Sequence, residues 1–100
     1  MTQKTETRFG TGKILAQTSG TTDNTPRSLT PPANAGYARL VLSGADMSAR
    51  YDAQPATGGP AEEKYQAGGV LELTSVQEIN GFRYISTGGS GTFSVIYREF

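Results

Sequence analysis

Short runs that alternate apolar and polar residues are cut by clusters of Gly, Pro and Asn about every 8–15 residues along this chain. No stretch sustains the 3.6-residue repeat of an amphipathic helix. Tyr37-Ala38-Arg39-Leu40-Val41-Leu42 is the clearest run: a period of two places Ala38, Leu40 and Leu42 on one face and Tyr37, Arg39 and Val41 on the other. The same reading predicts strands at Ile14–Thr18, at Ser48–Asp52, at Val70–Thr74, at Phe82–Ser86 and at Thr92–Tyr97, where Phe93, Val95 and Tyr97 share a face. Arg27–Thr30 is a short extended piece held between prolines. Ala45 to Asp52 holds a helical turn at most.

The connections follow from turn chemistry. Pro31-Pro32-Ala33-Asn34-Ala35-Gly36 must turn, because paired prolines fix φ and remove two donors. Ser43-Gly44-Ala45-Asp46 is a turn, Asn80-Gly81 is a strong turn signal, and Gly88-Gly89-Ser90-Gly91 reads as a hairpin loop. Ala53 to Gln66 is a long loop rich in Pro, Gly and charge, a length that in a small domain accompanies function or disorder. One hundred residues support a single core. The expected architecture is therefore all-β: a compact antiparallel β-sandwich or small barrel of six to seven short strands over residues 14–100, preceded by a flexible N-terminal arm over residues 1–13.

Missing residue types exclude several chemistries. The chain has no Cys, which removes disulfides, thiolate metal sites and Cys nucleophiles. It has no His, the side chain best suited to proton transfer near neutral pH and the commonest transition-metal ligand. Nine basic residues balance nine acidic ones, so the basic excess of a nucleic-acid binder is absent. No apolar run approaches the roughly 20 residues of a membrane helix, and Met1-Thr2-Gln3-Lys4 does not open a secretory signal. No nucleic-acid or membrane partner is expected.

Gly10-Thr11-Gly12-Lys13 echoes a phosphate loop, yet Thr7 stands where the first Gly belongs and Ile14 follows the Lys. Gly88-Gly89-Ser90-Gly91 echoes a nucleophile elbow, but a β-run follows it and no His exists to act as base. Asp46, Asp52, Glu62, Glu63, Glu72, Glu78 and Glu99 supply carboxylates, of which Asp46, Asp52 and Glu62 are the candidate calcium ligands, without a supporting spacing. Phe82, Tyr84, Phe93 and Tyr97 lie at strand spacing and read as core, whereas Tyr51 and Tyr65 flank the long loop and suit an exposed contact. No catalytic, cofactor or metal residue is assigned, and the chain is not expected to be an enzyme.

Ala67-Gly68-Gly69-Val70-Leu71-Glu72-Leu73, then Phe82-Arg83-Tyr84-Ile85-Ser86-Thr87-Gly88-Gly89, then Thr92-Phe93-Ser94-Val95-Ile96-Tyr97 resembles small bacteriophage virion proteins of the head decoration (cement) type. Ala33-Asn34-Ala35-Gly36-Tyr37-Ala38 fits the same pattern, and the resemblance spans residues 27 to 97. Gly68-Gly69 is also similar to cupin barrels, whose His-rich metal sites this chain lacks. The resemblance implies a structural protein on the capsid surface of a virion. Its partners would be the major capsid protein or another virion protein, and copies of itself, with a trimer as the first guess at a three-fold axis. Contacts would fall on Arg8, Phe9 and Lys13 of the arm and on Tyr51 and Tyr65. The alternative is a host-surface or carbohydrate-binding module of a phage tail or fibre, using the loop at residues 53–66 with Tyr51 and Tyr65.

Overall fold

A computed structural model describes residues 12–99. Eight strands run in chain order as β1 (Ile14–Thr22), β2 (Arg27–Ser28), β3 (Ala35–Ser43), β4 (Met47–Arg50), β5 (Glu63–Tyr65), β6 (Val70–Leu73), β7 (Arg83–Ser86) and β8 (Gly91–Glu99), with one short helix, α1 (Val76–Gly81), between β6 and β7. They form two four-stranded sheets, β1-β8-β3-β6 and β2-β7-β4-β5, with every neighbouring pair antiparallel. The all-β sandwich is as the sequence predicts, with eight strands among the described residues.

The pairing has a simple rule. β1 lies beside β8, β2 beside β7, β3 beside β6 and β4 beside β5. The chain is thus one long hairpin with its tip at the β4–β5 loop, wound so that β3 also meets β8 and β4 also meets β7. That winding is the eight-stranded jelly roll. Its core is what the period of two selects: Ala38, Leu40 and Leu42 of β3, Leu71 and Leu73 of β6, and Phe93, Val95 and Tyr97 of β8 face Met47 and Ala49 of β4 and Tyr84 of β7. Aromatic rings cross the interior from one sheet to the other. Tyr51 packs on Phe82 (centroids 5.4 Å), Phe82 on Tyr84 (5.8 Å), and Tyr84 meets Phe93 edge-on (5.3 Å, 85°).

Four expectations are corrected. Gly88–Gly91 is no hairpin: it carries the chain from β7 in one sheet to β8 in the other. The pattern of side chains specifies faces and not neighbours, so a crossover looks like a hairpin in sequence. Asn80-Gly81 does not turn between strands but ends α1. Ser75 caps that helix, its hydroxyl accepting from the Glu78 amide at 3.1 Å, while the Glu78 carboxylate accepts from the Thr74 amide at 2.7 Å, a variant of the capping box. The strand predicted over Ile14–Thr18 runs on through Thr22, because β8 offers a nine-residue partner. The loop predicted over residues 53–66 ends in a strand, because Glu63–Tyr65 pair with Met47–Ala49 as β5.

Residues 1–11 of the predicted arm, including Arg8 and Phe9, lie outside the described residues. Gly12 and Lys13 belong to the folded body. The Arg98 guanidinium donates to the Gly12 carbonyl at 3.0 Å and the Glu99 amide to the Lys13 carbonyl at 2.9 Å.

Candidate binding site

The sheets part where β1 and β2 form neighbouring edges, because the two are unequal. β1 has nine residues and β2 has two, so among the described strands β2 can cover only part of β1. The inward positions of β1 are also small. Ala16, Thr18 and Gly20 stand opposite Tyr97, Val95 and Phe93 of β8. A Cβ on Gly20 would come within 2.3 Å of the Phe93 ring, so the ring occupies the room that a side chain would need. The result is an open groove of about 810 Å³. Tyr84, Phe93, Val95 and Tyr97 floor it, Thr18 and Thr21 stand on one wall, and Arg27 and Leu29 on the other.

The groove is apolar at its base and polar at its rim. The Tyr84 and Tyr97 hydroxyls have no hydrogen-bond partner among the described residues, and burial raises both phenols, Tyr97 to about 12. Arg27 is held by Asp23 through a bidentate pair at 3.1 and 2.7 Å, and Asp23 also accepts from the Thr25 amide at 3.0 Å. Arg83 spends its guanidinium on the carbonyls of Asn80 and Phe82, both at 2.9 Å. The one buried polar side-chain atom left unpaired among the described residues, Thr22 Oγ1, lies at the end of β1.

The edge of β1 is itself a feature. Main-chain groups of an edge strand that face away from the sheet are free to pair with another strand, and most proteins guard such edges with charge, proline or brevity. β2, β5 and β6 have two, three and four residues, and β5 carries Glu63 and Lys64. β1 runs for nine residues with neither charge nor proline, and its one irregularity lies between Ile14 and Ala16.

Of the contact residues expected from sequence, Tyr51 and Tyr65 are brought together. Their hydroxyls hydrogen-bond to each other, and Tyr65 donates to Glu63 at 2.8 Å. Both are half-buried and pack against the core. Burial raises both phenols. A hollow of about 310 Å³ opens beside Tyr51. Lys13 is exposed at the start of β1. The groove residues Thr18, Arg27 and Tyr84 were not singled out as contacts. The available signal was the small-residue run Ala16–Thr22 set against the aromatic face of Thr92–Tyr97.

The long loop is ordered by one carboxylate. Glu62 accepts from Ser48 Oγ at 2.6 Å, from the Thr57 amide at 2.7 Å and hydroxyl at 3.3 Å, and from the Gly58 amide at 2.9 Å. Burial alone would raise this carboxyl, but the Ser48 hydroxyl and the two amides outweigh it and bring it to about 2. Lys64 donates to Ser48 Oγ at 3.1 Å and to the Gly59 carbonyl at 2.5 Å. This Ser–Lys pair has no route to a substrate, because Ser48 is 0 % exposed and its proton is given to Glu62. The candidate calcium ligands do not converge. Asp46 accepts from the Ala67 amide, Asp52 pairs with Arg50, Glu62 holds the loop, and no cluster of three acidic groups able to hold a metal occurs among the described residues.

No protein-family model, no curated protein and no solved structure matches the chain.

Proposed function

We propose that this chain is a structural protein of a bacteriophage virion, a decoration protein that binds the major capsid protein and braces the head lattice. The observation that carries this reading is the strand order, β1-β8-β3-β6 over β2-β7-β4-β5. That jelly-roll order is a common architecture of viral capsid and lectin domains. A sandwich with rings crossing its core is a rigid body well suited to repeat on a lattice, where weak contacts add through multivalency. The resemblance in residues 27 to 97 points the same way. The test is to add the purified chain to shells of its phage assembled without it. The expected result is saturation at a fixed ratio to the capsid protein and a higher melting temperature of the shells; shells left unbound and unchanged discard the reading.

The groove favours a second reading, a carbohydrate-binding module of a phage tail or fibre. A floor of Tyr84, Phe93, Val95 and Tyr97 with the Arg27 guanidinium on one wall suits a ligand with both apolar and hydroxyl faces. A glycan array would then give signals that Arg27→Ala removes, and a blank array rejects this reading.

A further inference from the structure

We infer that two copies of this chain join edge to edge through β1, the two strands running antiparallel about a two-fold axis at Thr18, so that the two β1-β8-β3-β6 sheets become one sheet of eight strands. The pairing follows from the edge alone and holds whether or not the chain sits on a virion.

Three observations lead to a second copy as the occupant. The first is that β1 is long and unguarded while the other edges among the described strands are short. Gln17, Thr18 and Ser19, at the middle of the strand, are all exposed, and β8 is the only strand paired with β1 among the described residues.

The second is self-compatibility. In a two-fold antiparallel pair each residue near the axis faces itself or a close neighbour, so any charge there would meet its like. From Ile14 to Thr22 there is none. A pair centred on Thr18, the midpoint of the strand, sets Gln17 against Ser19 of the second copy and Ala16 against Gly20, small or polar residues that clash nowhere.

The third is charge at the ends. The first ionisable residues on either side of β1 are Lys13 and Asp23, five positions before and five after Thr18, and of opposite sign. Antiparallel pairing centred on Thr18 therefore brings Lys13 of each copy to the Asp23 end of the other, twice over. Lys13 forms no ion pair among the described residues, and its side chain is exposed. Asp23 already holds Arg27 within its own chain. The arriving ammonium would make that pair a three-membered cluster. With a net charge of zero, the two bodies carry no overall repulsion to oppose the contact.

The axis position makes the test specific. Thr18→Lys and Thr18→Glu each place two like charges face to face at the centre, and a mixture of the two variants places opposite charges there. Light scattering on the wild-type chain at rising concentration is expected to reach twice the 10.6 kDa chain mass. Each variant alone is expected to stay at the single-chain mass, and the equimolar mixture to recover the double mass. Circular dichroism of each variant reports folding, and an unfolded variant could not be rescued by mixing. As an independent readout, amide exchange over residues 14–22 of the wild-type chain is expected to slow as its concentration rises. A wild-type chain that stays monomeric, a trimer, variants that still pair alone, a mixture that does not recover, or exchange in β1 that ignores concentration would each overturn the inference. None of these outcomes bears on binding to capsid shells, which is measured separately.

Discussion

The Glu62 carboxylate accepts a hydrogen bond from the Ser48 hydroxyl at 2.6 Å, fourteen residues away in sequence, and through this contact the tip of the long hairpin is fastened to β4. Its side chain is 1 % exposed, yet it stays ionised because three further donors from Thr57 and Gly58 converge on it. A buried carboxylate so supplied holds the backbone in place better than a neutral group would.

Glu62→Gln keeps the shape and removes the charge. One amide oxygen cannot serve all four donors, and the new NH2 meets donors on its other side. The expected loss is about 2–3 kcal/mol in urea unfolding, with faster amide exchange in the loop at residues 53–61. A variant as stable as the wild type would show that the carboxylate does not order the tip.

Acid should act on the same contact. Glu62 is lowered from the ordinary 4.5 to about 2, so the unfolded chain binds a proton there before the folded chain does. Its contribution is complete above pH 4.5 and disappears as pH falls toward 2. Asp52, lowered from 3.8 to about 2 by the Arg50 pair, and Asp23, lowered by Arg27, lose theirs in the same direction. The melting temperature is expected to hold steady down to about pH 5 and to fall steadily below it, with a shallower fall in Glu62→Gln. A melting temperature that stays level to pH 2 would refute the linkage.

Gly81 ends α1 against the start of the long loop. A Cβ there would lie 2.3 Å from the Tyr51 carbonyl oxygen, and the Gly81 carbonyl accepts from the Ala53 amide at 2.9 Å. Backbone cannot swing aside as a side-chain tip can, so Gly81→Ala is expected to destabilise by about 2–3 kcal/mol, whereas Gly68→Ala and Gly89→Ala meet no atom and cost only their positive φ. Equal thermal melts for Gly81→Ala and wild type would contradict the close approach.

Much of the sandwich was legible because burial on one face writes itself as alternation. Ala38, Leu40 and Leu42, and Phe93, Val95 and Tyr97, were assigned to shared faces by spacing, and all six are buried. α1 was not legible, because its six residues are too few to display a 3.6-residue period; the signal it left was Ser75 and Glu78 at capping distance. Gly81 was visible as a glycine but misread, since a turn and a close backbone approach demand the same residue. Tyr51 and Tyr65 were recognised as flanking the loop, but that they would bind each other and lie half-buried depended on β4 and β5 pairing.

The sequence by itself determined which side chains face inward, where the chain must turn, and which chemistries the absence of His and Cys removes. Those properties are local: each depends on one residue and its near neighbours. The winding of the strands into a jelly roll, the groove beside Gly20 and the open edge of β1 were decided only in three dimensions. Each depends on which distant strands meet and on how unequal β1 and β2 are when they do, and a period of two carries no record of a neighbour across the sheet.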